Sequence, residues 1–215
     1  MPRTPIWLFD LDNTLHNASP HIFPHINRSM TDYLEQHLGL ARGEANALRT
    51  HYWHRYGATL LGLMRHHGTD PRHFLHETHR FDRLHEMMVF DRALRGMLRK
   101  LPGRRFVFSN APRHYANAVL DIMGVSDLFE TVIGIEDLDF HPKPGIRAYR
   151  SLLSAHRLNP AHCIMLEDSA VNLRTAKRLG MRTVLVGRGL RTPGYVDLKL
   201  ASILDLRRRL GALLA

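Results

Sequence analysis

The chain's first apolar run, Ile6 to Phe9, is short and is stopped by acids from Asp10 onward, which suits a buried strand. The period then changes. Ile22, Ile26, Met30, Leu34 and Leu38 recur at helical spacing until Gly39, with Ser19 and Pro20 suited to the N-cap and first helical positions. Further helices are predicted over Ala41 to Tyr56, Thr59 to His67 and Pro71 to about His79, the last capped by Asp70, and no strand is evident in this block. From Arg104 strand and helix alternate. Strands fit Arg105 to Phe108, Thr131 to Ile135, His162 to Leu166 and Arg182 to Val186; helices fit Arg113 to Met123, Pro144 to His156 and Ala170 to Leu179, with Gly124 and Gly180 as C-caps. Such alternation predicts an α/β fold, a parallel sheet with helices on both faces, and makes the helical block an insert after the first strand. The expected division is a core of residues 1–16 and 96–215 and an insert of 17–95.

In open parallel sheets ligands gather at the carboxyl ends of strands. The residues there are Asp10-Leu-Asp12-Asn-Thr14 after the first strand, Ser109-Asn110 after the second and Glu167-Asp168-Ser169 after the fourth, with Lys143 in His-Pro-Lys-Pro before a helix. Carboxylates crowded together repel one another unless a cation lies among them, and a hard divalent ion, with Mg²⁺ expected, matches oxygen ligands. The Ser109 hydroxyl and Lys143 ammonium suit a phosphate oxygen better than a metal. The set describes phosphoryl transfer, with Asp10 as nucleophile and Asp12 as the acid that protonates a departing alcohol and the base that then activates water. Singly each piece is ordinary: Asp-x-Asp is common at strand ends, Ser109-Asn110 suits a loop and Ser169 an N-cap. An EF-hand is excluded, because Leu15 stands where that loop needs Gly and His21 where it needs Glu. Order and strand-end placement make the set informative.

Composition narrows the class. The 215 residues are 44% hydrophobic and 23% charged, which fits a globular protein and not a disordered or coiled-coil chain. No apolar stretch approaches the ~18 residues of a membrane span, the N-terminus lacks the pattern of a signal peptide, and a cytoplasmic location is expected. Cys163 is a lone core thiol, so neither disulfides nor a cysteine metal site is expected. A net charge of +10 favours anionic partners, yet the arginines are scattered apart from Arg207 to Arg209, and nucleic acid is not the expected partner. Twelve of the sixteen histidines lie between His16 and His85. His73, His76 and His79, or His51 and His54, have spacings that could hold a metal, but no Cys or fixed carboxylate completes them and solvated faces are the expected reading.

The motifs Phe9-Asp10-Leu-Asp12-Asn-Thr14-Leu, Phe108-Ser109-Asn110, Lys143 and Leu166-Glu167-Asp168-Ser169, in that order, resemble the four motifs of the haloacid dehalogenase superfamily of aspartate-nucleophile phosphatases. The resemblance covers the whole chain. It implies a Rossmann-like core with a C1-type helical cap, Asp10 as nucleophile and metal ligand, and Asp12 as acid and base whose backbone carbonyl also meets the metal. Ser109 and Lys143 would bind the phosphoryl group, Asp168 would complete the Mg²⁺ shell, and Glu167 would be either a ligand or a partner of one. A second Asp argues against dehalogenation. A narrower resemblance, carried by Phe9 to Ser19, Tyr56 to Leu63 and His66 to Leu75, is to pyrimidine 5′-nucleotidases, which implies hydrolysis of UMP and CMP; His16 departs from it, standing where many relatives have Tyr. Tyr56 and Thr59, beside a bendable Gly57, are candidates for reaching the nucleoside, although Tyr56, Leu60, Leu63 and Met64 could equally pack helices together; Asn110 is a candidate for binding substrate, Arg113 for assisting phosphate or facing solvent, and Asn172 for orienting the acidic loop. The expectation is a Mg²⁺-dependent phosphomonoesterase, monomer or homodimer, whose cap closes over its substrate. The alternatives are a phosphatase for sugar phosphates or phosphoglycolate, and a non-catalytic phosphate- or nucleic-acid-binding regulator.

Overall fold

Four consecutive apolar side chains bury the first strand on both faces, so it can only lie inside a sheet. In the computed structural model, which describes residues 4–189 and 191–214, this strand, β1 (Ile6–Phe9), is central in a six-stranded sheet of order β3-β2-β1-β4-β5-β6. The partners are β2 (Arg104–Phe108), β3 (Thr131–Ile133), β4 (Cys163–Glu167), β5 (Arg182–Val186) and β6 (Leu198–Leu200), and every pairing is parallel. Phe9 lies level with Val107 on one side and Leu166 on the other. The chain builds outward from β1 through β2 and β3, then returns to β1's other edge as β4. A crevice therefore opens between the carboxyl ends of β1 and β4, where connections diverge.

Helices α7 (Arg113–Ile122), α8 (Ile146–Ala155) and α9 (Ala170–Arg178) join the strands. Leu8, Phe106, Phe108, Tyr149, Met165 and Leu173 lie in one buried cluster. Gly103 has a φ of 92°, and a Cβ there would fall 2.1 Å from the Pro5 carbonyl oxygen, so only glycine lets the chain enter β2 this close to the start of β1.

Two compact units result: one of residues up to Asn17 and from Val89 onward, the other Ala18–Met88. The short helix α6 (Ala93–Arg99) buries Leu94, Met97 and Leu98 within the sheet unit, so residues 89–95 group there and not with the insert as expected. The second unit contains α1 (Ile22–Leu38), α2 (Arg42–Tyr56), α3 (Thr59–His67), α4 (Pro71–Thr78) and α5 (Leu84–Met87). Its core includes Ile22, Leu34, Leu63 and Phe74. Gly62 allows α3 to close on α2: a Cβ there would meet the Tyr52 ring at 2.2 Å.

Several local expectations shift. Helix α1 starts at Ile22 with His21, not Ser19, at its N-cap, because the chain still turns through Ser19 and Pro20. Gly57 adopts a left-handed φ of 81° and terminates α2, with its N–H donating to the Trp53 carbonyl. Asp70 caps α4 as expected, accepting from the Arg72 N–H at 2.9 Å. Strand β6 and the closing helix α10 (Leu210–Leu214) were not anticipated. Among the described residues no helix is long and apolar enough to cross a membrane.

Candidate active site

Lys143 is the centre of the crevice. It is only 2% exposed, and its three ammonium protons reach Asp10 Oδ1 at 2.7 Å, Glu167 Oε2 at 2.8 Å and the Phe108 carbonyl at 2.7 Å. Asp10 follows β1, Phe108 ends β2 and Glu167 ends β4, so one side chain ties the carboxyl ends of three strands together. The loop bearing it is latched in turn: the Lys143 N–H donates to Asn110 Oδ1 at 2.8 Å and Asn110 Nδ2 donates to the Lys143 carbonyl at 3.0 Å. Asn110, expected to bind substrate, thus spends both ends of its amide on holding Lys143.

Carboxylate oxygens of Asp10, Glu167 and Asp168 lie within 4.8 Å of one another. Burial first, then the Glu167 charge, push Asp10 up to about 7 against the opposing pull of Lys143. Burial likewise raises Glu167 and Asp168. Burial opposes a charge on Lys143, but Asp10 and Glu167 outweigh it and hold the ammonium strongly protonated. One cation among three acids leaves an excess of negative charge in a low-dielectric crevice, and all the donors are oxygen. These residues fit a hard divalent cation such as Mg²⁺. Among the described residues this is the group of His, Cys and acids so gathered; the His73, His76 and His79 series does not converge. His73 Nδ1 instead pairs with the Tyr33 hydroxyl at 3.0 Å, and His79 Nδ1 lies by Thr78 Oγ1 and the Leu75 carbonyl.

The remaining predicted residues divide in two. Ser109 is buried, and its Oγ accepts from the Ala111 N–H at 3.0 Å, which leaves the hydroxyl proton available to a ligand. Asp12 is half-buried, and its Oδ1 lies 2.9 Å from His16 Nε2 and 2.7 Å from the Tyr115 hydroxyl. Arg113 is exposed and pairs with Asp137 at 3.1 Å. The Asn172 carbonyl accepts from the Tyr149 hydroxyl at 2.8 Å. Tyr56 and Thr59 belong to the helical unit. Thr59 is buried and donates to the Arg49 carbonyl at 3.1 Å, while the Tyr56 hydroxyl pairs with His66 Nε2 at 2.6 Å.

Three contributors were given no role in the sequence reading. Thr14 Oγ1 donates to Asp10 Oδ2 at 3.2 Å, Asn13 bonds Asp168 from a left-handed φ of 59°, and Tyr115 reaches Asp12. Asn13 carries a readable signal, since Asn tolerates that backbone region better than most residues.

Fold and centre together are those of an α/β hydrolytic enzyme with its acids at the sheet edge. The chain belongs to the haloacid dehalogenase-like hydrolase family, whose profile matches residues 6–180. It is 25% identical over 200 residues to "Phosphate metabolism protein 8" of Saccharomyces cerevisiae, covering 86% of this chain and 62% of that protein's length. It is 27% identical over 199 residues to the phosphoglycolate phosphatase of Colwellia psychrerythraea, covering 83% of this chain and 82% of that one. A solved HAD phosphatase from Thermococcus onnurineus superposes with a TM-score of 0.69 at 21% identity, over 97% of this chain and 98% of that one, a likeness of fold.

Proposed function

We propose that this protein is a Mg²⁺-dependent phosphomonoesterase that works through an aspartyl phosphate on Asp10. The observation that carries the reading is the Lys143 ammonium bridging buried Asp10 and Glu167 beside Asp168. Asp10, Asp168, the Asp12 carbonyl and, directly or through a neighbour, Glu167 would hold the cation. When bound, it supplies positive charge that offsets repulsion between a carboxylate nucleophile and a phosphate dianion.

Lys143 keeps one Asp10 oxygen fixed and its charge partly neutralised. With all three protons committed, it acts through charge and placement and not as a spare hydrogen-bond donor. The free Ser109 proton is the direct donor to a phosphoryl oxygen. Asp10 attacks phosphorus while Asp12 gives its proton to the departing alkoxide; Asp12 then takes a proton from the water that releases phosphate from Asp10. Asp12 favours an ester over a halide substrate, since a halide leaves without a proton.

Pyrimidine nucleoside 5′-monophosphates are the proposed substrates, supported by the likeness of Phe9 to Ser19, Tyr56 to Leu63 and His66 to Leu75 to pyrimidine nucleotidases. The second reading is phosphoglycolate or a sugar phosphate, favoured by the phosphoglycolate phosphatase relative aligned over 82% of its length. Phosphate release from UMP, CMP, purine monophosphates, phosphoglycolate and sugar phosphates, with and without Mg²⁺, tests both. UMP and CMP are expected to lead and EDTA to abolish turnover; a lead for phosphoglycolate selects the second reading. Asp10→Asn is expected to lower every rate by at least about a thousandfold.

A further inference from the structure

We propose that His16 and Tyr115 are positioning residues for Asp12, together occupying Oδ1 so that Oδ2 is the oxygen that exchanges a proton with the leaving alcohol. This rests on the phosphomonoesterase reading and deepens it. The Tyr115 hydroxyl donates to Asp12 Oδ1 at 2.7 Å and His16 Nε2 stands 2.9 Å from the same atom. Both side chains are buried, while Asp12 is half-buried. His16 arrives through the local turn after β1, where Asp12 and His16 form an isolated bridge; Tyr115 arrives from 103 residues away in the first turn of α7. Two independent parts of the chain converge on one oxygen and fix the carboxyl rotamer. Whether Asp12 is a carboxylate or a carboxylic acid, an oxygen that accepts two hydrogen bonds is the poorer place for a proton, which leaves Oδ2 to carry it.

The rest of the His16 ring supports a functional role. Its Nδ1 is buried with no hydrogen-bond partner among the described residues, so the imidazole forgoes one bond within the protein to make the one to Asp12. A purely structural ring at this position would be cheaper as an apolar one.

In the first step the bond from Asp10 oxygen to phosphorus forms as the ester P–O bond breaks, and the proton on Asp12 Oδ2 passes to the alkoxide, giving a neutral alcohol. In the second, water oxygen bonds phosphorus and its proton returns to Oδ2, while the Asp10–phosphorus bond breaks to yield phosphate. Only the leaving of a basic alkoxide requires the proton in the first step. A nitrophenolate leaves without it.

The test is therefore a comparison of leaving groups. Wild type, Tyr115→Phe, His16→Leu and His16→Gln are assayed with p-nitrophenyl phosphate and with the best alkyl monoester of the substrate panel. Loss of either donor is expected to lower kcat/KM, which reports the first step and not the dephosphorylation common to all esters, by about tenfold or more on the alkyl ester and by less than about threefold on the aryl ester. His16→Gln, which keeps an N–H donor, is expected to recover part of the alkyl rate. An equal loss on both esters, or no loss on either, overturns the proposal. If His16→Leu does not fold by thermal melting, Tyr115→Phe decides alone. Failure of the underlying reading looks different: wild type then releases no phosphate from either ester, or Asp10→Asn releases it at the wild-type rate.

Discussion

The sheet edge and the helical unit treat polar side chains in opposite ways. At the edge, Lys143 and Asp10 are 133 residues apart in the chain, almost wholly buried, and joined at 2.7 Å. In the helical unit, Tyr52 with His67 and Tyr56 with His66 pair at 2.8 and 2.6 Å between α2 and α3, and both histidines are exposed. Burying an ion costs several kcal/mol after relaxation, whereas a surface hydrogen bond costs little and contributes little. A fold keeps the costly arrangement only where position matters. Most histidines of the insert are by contrast exposed, and among the described residues none of them gathers with other metal-binding groups as the acids of the sheet edge do.

The comparison can be broken from the sheet side first. Lys143→Met removes the single cation from between two buried acids, and is expected to cost about 3–5 kcal/mol of stability, read by urea or thermal unfolding. A loss under 1 kcal/mol would mean that water already solvates the crevice.

A subtler effect comes from Asp10. Its folded value of about 7 lies above the ordinary 3.8, so the folded chain holds this proton more tightly than the unfolded one. The stability it contributes is complete below about pH 4 and is lost as pH rises through about 7. In EDTA, wild type and Asp10→Asn should melt alike at pH 4. By pH 8 the variant, with no charge to bury, should melt higher, by about 2–4 °C for each kcal/mol recovered. Equal melting at both pH values would show that Lys143 fully offsets the burial.

The smallest effect belongs to the helical unit. Thr59→Val removes one donor to the Arg49 carbonyl and is expected to cost about 1 kcal/mol. If Thr59→Val instead changed the preference among phosphomonoesters with an unchanged melting temperature, the contrast would fail, and Thr59 would belong to substrate recognition.

Much of the sheet edge was legible because Asp10, Ser109 and the Glu167-Asp168 pair directly follow apolar runs. Asp10, Ser109, Glu167 and Asp168 needed only the rule that parallel strands deliver their next residues to one rim. What stayed hidden depends on rotamer and on distance through the fold. Nothing local in Tyr115 distinguishes it from Tyr149, the buried aromatic of α8, and only the docking of α7 aims its hydroxyl at Asp12. Asn110 read as a ligand-binding amide, and the fold gives it besides the backbone of a residue 33 positions later, which no local pattern announces. Strand β6, three residues of Leu-Lys-Leu, is too short to carry a period, and its pairing with β5 supplies what local pattern lacks.

The central place of β1 has a consequence for how the molecule is made. Translation delivers this strand before the rest of the sheet, yet its two hydrogen-bonding neighbours are residues 104–108 and 163–167, so its second edge stays open until residue 163 and those after it have been synthesised. The helices of Ala18–Met88 contact one another over short separations and can collapse on the ribosome in the meantime. Nascent chains therefore carry a naked Ile-Trp-Leu-Phe segment tethered to a finished bundle, the kind of sticky edge that chaperones shield, and truncations ending before Cys163 should aggregate.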